Sequence, residues 1–349
     1  MRIGLFYESM QFGGCETRTI SLGAMLRRLG HEVSLLTYNL NRPALEMLCE
    51  WAGFPIENVI ECAKDALAGK CVDLDVLDIQ CSAGAPLGPQ PHAARVYTIH
   101  GIDYWIPPLS KASWLISVAD CPKGSIAKSY PNYLYAPVSV DLDRFRYHKE
   151  PGKGVAFFGR FSSHKLALPH DLWSAWNGPI DLYGYSAKQS VGGLEQNLIK
   201  TEGRPPQVRI PGPPEAVGWA VNPAEIMPKY RVCLGACQCA IEAMACGRLV
   251  MVGMDWIAPS QRFVGQATVP TPENIDEVAK GQFGTFGPTS PREPKVMAET
   301  IDRLLAGDYD HLRPFYRQWI EENRDLHRQA EEILTFYQDA VFEQTGRAV

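Results

Sequence analysis

Short apolar runs alternate with longer amphipathic stretches along most of the chain. Residues 2–7 form an apolar run that reads as a strand, and residues 11–17 follow as a turn. Beyond it Ile20, Leu22, Met25, Leu26 and Leu29 recur at helical spacing until Gly30, the pattern of one buried helix face. Residues 31–37 read as the next strand, so the opening is a βαβ unit. Further strands are predicted over 75–79, 95–99 and 114–118, and 132–145 leads out of the first half. Residues 147–154 are polar and carry Pro151, Gly152 and Gly154, the composition of a linker. A fresh strand at 155–158 opens the second half, followed by a strand and turn at 179–185, a short helix at 223–230 and a strand at 232–235. Ile241 to Ala245 is strongly helix-forming with Gly247 placed as its C′ stop, and 249–252 is apolar enough for a buried strand. Residues 293–349 read as mostly helical, with Trp319, Ile320, Leu326, Ile333, Leu334, Tyr337 and Val341 supplying apolar faces.

The 349 residues are 46% hydrophobic and 21% charged, enough to bury two cores of ordinary size. No run of about 18 apolar residues spans a bilayer, and the apolar start is broken at Glu8, too soon for a signal peptide. A cytoplasmic protein is expected. Ten cysteines are scattered without a framework, Cys49, Cys62 and Cys71 among them, so reduced thiols are expected. Cys233, Cys237 and Cys239 lack a second ligand pair at zinc spacing and read as small buried residues. Net charge is -5, split evenly: 14 basic against 16 acidic residues up to residue 150, then 20 against 23. Neither half has the basic excess of a protein that grips nucleic acid by its phosphates, although a local patch is invisible to such a count.

Four places carry candidate chemistry. Gly13 and Gly14 stand at a strand-to-helix turn, where the backbone can approach an anion, or where a tight turn needs positive φ. His100 follows a strand and precedes Gly101, which puts it in the crevice at the carboxyl edge of a parallel sheet or makes it a cap for the next segment. Arg160 and Lys165 flank another strand-to-helix turn, suited to a diphosphate or simply to solvent. Glu242 is an isolated acid among small apolar residues, either on an exposed stripe or kept inside for a ligand. We place it at the start of its helix, at the positive end of the dipole.

Taken in order, these segments resemble the retaining glycosyltransferases of the GT-B fold, in particular the large family usually numbered four (glycosyl transferases group 1). Residues 13–16 with 30–33 look like that family's glycine loop and following strand, and 98–101 like its strand-four histidine. Residues 137–145 are similar to its Pro-Asn-Gly-Val-Asp signature, with Val138 and Ser139 in place of Asn-Gly. Phe158, Gly159 and Arg160 with Lys165 resemble the donor-diphosphate clamp, and 241–247 the donor-ribose motif, the most specific piece.

The resemblance implies an α/β chain of two Rossmann-like domains facing across a cleft, with the C-terminal helix crossing back to the first. The acceptor-side domain would comprise residues 1–148 with the helix at about 325–349, and the nucleotide-sugar domain residues 149–324. It implies that Glu242 binds the donor ribose beside Gly159 and Gly184, and that Arg160 and Lys165 hold the diphosphate and stabilise the leaving group. Gly13 and Gly14 would approach the phosphate or sugar and His100 the transferred sugar. Glu16, Asp103, Tyr104 and Trp105 are acceptor-side candidates. The donor would be a nucleoside diphosphate sugar, a UDP-sugar before others. No cofactor or metal is required, the Asp73–Asp75 pair opening a strand and the Asp141–Asp143 pair belonging to the linker signature. The acceptor is left open among glycan, lipid-linked glycan, small molecule and modified nucleic-acid base, and so is the oligomeric state.

One departure stands out. The family's acidic pair places a first glutamate eight residues before the second, and that position is Leu234 here. A nucleotide-sugar epimerase of the same fold and a degenerate, non-catalytic nucleotide-sugar-binding protein are therefore kept as alternatives.

Overall fold

The computed structural model describes residues 1–10, 13–40, 42–62, 73–80, 93–100, 114–118, 130–159, 163–184, 208–209, 222–253, 255–258, 261–264, 267–284 and 292–346. The chain divides into two compact units, Met1–Asp141 with Asp325–Val349, and Leu142–Arg324.

The first unit is built on a parallel sheet. Its elements are β1 (Arg2–Tyr7), α1 (Gly14–Arg28), β2 (Glu32–Thr37), α2 (Arg42–Ala52), β3 (Val59–Glu61), β4 (Val76–Gln80), β5 (Ala94–Ile99), β6 (Trp114–Ser117) and β7 (Asn132–Tyr135). The strands lie in the order β3-β2-β1-β4-β5-β6-β7, every pair parallel. Ile3, Leu5 and Phe6 of β1 are buried, as is every residue of β4, because a central parallel strand is covered on both faces. Helix α1 places acidic Glu16 in its first turn and Arg27 and Arg28 in its last, each sign matching the helix dipole there. It ends at Gly30, whose φ of 90° lets the His31 N–H reach back to the Leu26 carbonyl.

In the second unit the described helices and strands are β8 (Val155–Phe158), α3 (Ser163–Trp173), β9 (Ile180–Tyr183), β10 (Val208–Arg209), α4 (Pro223–Ile226), β11 (Val232–Gly235), α5 (Gln238–Ala245), β12 (Leu249–Val252), the antiparallel pair β13 (Asp255–Ala258) and β14 (Gln261–Val264), α6 (Ile275–Lys280), α7 (Pro294–Ala306) and α8 (Leu312–Asn323). The sheet order is β10-β9-β8-β11-β12, again all parallel. β8, β9, β11 and β12 are buried at every position, which is why β8, β11 and β12 read as unbroken apolar runs rather than as alternation; β9 buries Asp181, which accepts from Tyr230 OH.

Residues 147–154 belong to the second unit, where two arginines fasten them. Arg313 donates to the carbonyls of His148, Lys149 and Glu150, and the fully buried Arg248 to those of Pro228, Cys246 and His148. Each guanidinium meets neutral carbonyl dipoles that offset its removal from water. The chain then returns to the first unit as α9 (Leu326–Thr345), capped by the Asp325 carboxylate on the His327 N–H at 2.9 Å. There α9 packs on α1, β4 and β5.

Candidate functional site

Each sheet changes its direction of growth beside its first strand, between β1 and β4 in one unit and between β8 and β11 in the other. Strand ends at such a switch point leave a crevice for ligands. In the second unit, β8 runs into Gly159, whose N–H donates to the Tyr183 carbonyl at 3.0 Å, so Gly159 and Gly184 are neighbours. β11 ends at Gly235, where a Cβ would stand 3.0 Å from the Phe158 carbonyl oxygen. Two residues, Ala236 and Cys237, then turn the chain into α5. Cys237 sits at φ 55°, ψ -126°, a conformation that costs a side-chain-bearing residue about 1–3 kcal/mol. Its N–H donates to the Gln282 carbonyl at 3.0 Å.

This turn corrects the placement of Glu242. Because the reversal is finished by Cys237, α5 begins at Gln238, and Glu242 falls in its second turn, not at its start. What supports the carboxylate is therefore a side chain: Gln238 Nε2 donates to Glu242 Oε1 at 2.9 Å across one helical turn. Glu242 is 4% exposed, and burial pushes its carboxyl up to about 7, against the opposing pull of the Gln238 hydrogen bond and the Arg144 charge. Arg144, itself hydrogen-bonded to Asn222 Oδ1 at 3.2 Å, is a cation at this site that spacing did not single out.

Lys165 lies in the first turn of α3 and its charge acts on Cys239, which also feels the charge of Glu242. Lys165, Cys239 and Glu242 thus gather around the first half of α5. Leu234 is 1% exposed within β11 and pairs with Phe157 and Met251. The place eight residues before Glu242 is inside the sheet, where an acid would be buried among apolar strands.

In the first unit, Gly13 is extended at φ -178° and Gly14 is the first residue of α1, so positive φ does not explain either glycine. Gly14 is exposed and Glu16 is buried at 5%. His100 is 6% exposed, with Nε2 2.6 Å from Gln80 Oε1 and its ring edge-on to Tyr7 at 6.5 Å. Gln80 Oε1 also lies 3.3 Å from Thr19 Oγ1, which donates to the Cys15 carbonyl in the first turn of α1. Gln80 therefore joins His100 to the helix that the two glycines open. Sequence reading missed Gln80 and Asp78. The available signal was two polar residues in a central parallel strand, where nothing faces water. Arg160, Asp103, Tyr104 and Trp105 lie outside the described residues.

Two doubly wound parallel sheets and a last helix that rejoins the first unit make this the GT-B fold of glycosyltransferases. Solved structures sharing it include an alpha-glucosyltransferase in complex with UDP-glucose and DNA containing an abasic site, 13% identical over 97% of this chain and 99% of that one, TM-score 0.61. TarM is 9% identical over 96% and 98% of the two chains, TM-score 0.66. WaaG, a glycosyltransferase involved in lipopolysaccharide biosynthesis, is 12% identical over 99% and 100%, TM-score 0.60. No family model matches the chain, and no curated protein matches its sequence. Among the described residues no group of three His, Cys, Asp or Glu gathers to hold a metal ion, and no helix is long and apolar enough to cross a membrane.

Proposed function

We propose that the chain is a retaining glycosyltransferase that takes a nucleoside diphosphate sugar, UDP-sugars before others, as donor and needs no metal ion. The observation that carries this is Glu242: a carboxylate buried beside a switch point, steadied by Gln238 and with Lys165 close by. A buried acid held open for partners fits two ribose hydroxyls, each donating to one oxygen. Arg160 and Lys165 then meet the diphosphate. As the bond from the sugar C1 to the phosphate oxygen breaks, negative charge grows on that oxygen, and the two cations stabilise it where it forms. An acceptor hydroxyl bonds to C1 from the face the diphosphate leaves, and its proton passes to the departing phosphate. Gly13 and Gly14 leave the start of α1 open to donor phosphate or sugar, and His100 meets the transferred sugar. Glu16, with Asp103, Tyr104 and Trp105, remains the acceptor-side assignment.

Leu234 supports a second reading, a protein that binds the nucleotide sugar without transferring it. The two separate by experiment. Thermal-shift screening with the diphosphates of uridine, guanosine, adenosine and thymidine and their sugars should raise the melting point with the preferred base, by mass action. Sugar release or transfer from that donor, undiminished in a chelator, supports the first reading. Tight binding with no turnover in a broad acceptor screen overturns it in favour of the second.

A further inference from the structure

The first unit holds a layer of buried polar side chains that donor binding in the second does not use. Asp78 and Gln80 are two residues apart on β4, so they share a face of the sheet, and Gln80 pairs in register with Thr98 of β5. α1 covers that face with Arg18 and Thr19, and α9 with Tyr337. Asp78, Gln80 and Thr19 have no exposed surface at all, and Thr98 has 1%. Asp78 is surrounded by donors: Gln80 Nε2 at 2.7 Å and Tyr337 OH on Oδ2, and Thr98 Oγ1 at 2.8 Å on Oδ1. Burial raises its carboxyl above the usual carboxylate range, against the smaller opposing pull of the Tyr337 and Thr98 hydrogen bonds and of the Arg18 and His100 charges.

The chemistry of each group then fixes the next. Gln80 Nε2 stands 2.7 Å from Asp78 Oδ2, the oxygen that Tyr337 OH also meets, so the Gln80 edge turned to Asp78 is its NH2, and Oε1 is left for His100. An amide oxygen only accepts, so His100 Nε2, 2.6 Å away, carries the ring proton. In the neutral ring Nδ1 is then an acceptor. It can take a hydrogen bond from a hydroxyl and offers none to a phosphate oxygen.

We propose that Asp78 and Gln80 are positioning residues that set the Nε2–H tautomer of His100, so that its ring reads a sugar hydroxyl rather than a phosphate. Tyr337 holds the far end of the chain from α9. The role of the ring rests on the reading of His100 as a donor-sugar contact; the tautomer does not.

The test is 15N NMR of histidine-labelled protein without ligand, with the His100 signals assigned by their loss in His100→Gln. A pyrrole-like Nε2 and a pyridine-like Nδ1 are expected. In Gln80→Leu the preference should collapse toward a mixture, and donor turnover should fall about 10- to 100-fold, the scale for losing a partner that orients a working group. UDP affinity should barely move, since Glu242, Arg160 and Lys165, the residues assigned to the ribose and diphosphate, belong to the second unit. Tyr337→Phe keeps the link from Gln80 to His100 and should keep the tautomer. A wild-type ring protonated on Nδ1 overturns the proposal, even if Gln80→Leu fails to fold, and so does a folded Gln80→Leu with unchanged tautomer and turnover. His100→Ala with full turnover would instead sink the sugar-contact reading and leave the tautomer result standing.

Discussion

Replacing Glu242 by Gln should make the protein more stable at alkaline pH and worse at binding its donor. The carboxyl is pushed up to about 7 from an ordinary 4.5. At about 1.36 kcal/mol per pH unit, ionising it in the empty site costs roughly 3 kcal/mol. The folded protein keeps this proton to higher pH than the unfolded chain, so between about 4.5 and 7 it binds the more protons. Stability therefore falls as pH rises through that window and levels off above it. Glu242→Gln keeps the shape and an oxygen for Gln238 but has no charge to bury. It should match wild type near pH 5 and exceed it near pH 8 by up to about 3 kcal/mol, or roughly 2–4 °C of melting temperature per kcal/mol for a unit of this size. Binding should run the other way. If the ribose hydroxyls need the ionised acid, about a tenth of the sites are competent at pH 6 and nine-tenths at pH 8, so affinity for a UDP-sugar should rise about tenfold across that span. Denaturant titrations at both pH values, with calorimetric titration of a UDP-sugar, measure both effects. A UDP-sugar is the right probe because its diphosphate has no ionisation in this range. A flat wild-type binding profile, or a Gln variant no more stable than wild type at pH 8, would refute the reasoning.

Three further outcomes are expected. If Lys165 and Arg160 hold the diphosphate as proposed, Lys165→Ala and Arg160→Ala should each lose about two to three orders of magnitude in turnover, the scale of removing one charge contact at a leaving group, with melting temperature little changed; full activity in both removes the diphosphate assignment. Arg248→Met should destabilise by about 3–5 kcal/mol in urea, since Pro228, Cys246 and His148 carbonyls lose a buried charged donor, and a loss below 1 kcal/mol would show that water replaces it. Cys237→Gly should stabilise by about 1 kcal/mol by relieving its φ of 55°, whereas Cys237→Val should destabilise; the reverse order would mean that the thiol's contacts outweigh the backbone strain.

Central strands of both sheets were legible because parallel strands buried on two faces are written as apolar runs, as in residues 155–158 and 249–252, whereas the short outer strands Val59–Glu61 and Val208–Arg209 were not read. Gly30 and Gly247 were legible as helix stops because positive φ is what glycine permits cheaply, and both have it. The strand at Asn132–Tyr135 was not read, since its mixture of Asn, Tyr and Leu suits a half-buried edge as well as a loop. The start of α5 was misplaced for a physical reason. The turn before it uses a cysteine in a glycine-like conformation, which no local propensity announces. Arg144 and Asp78 were illegible as site residues because their roles depend on partners 98 and 259 residues away in the chain, Glu242 and Tyr337.

The return of α9 to the first unit also sets an order of events during synthesis. Asp78 sits in the third-last position of a strand made early, yet Tyr337, one of its three donors, belongs to a helix made after the whole second unit. A nascent chain that has left the ribosome as far as Arg324 has every strand of the first sheet and a buried acid short of a partner. Until α9 is made, the face of α1, β4 and β5 that it covers has no such cover, and a chaperone acting on that face would shield a surface that the finished protein buries.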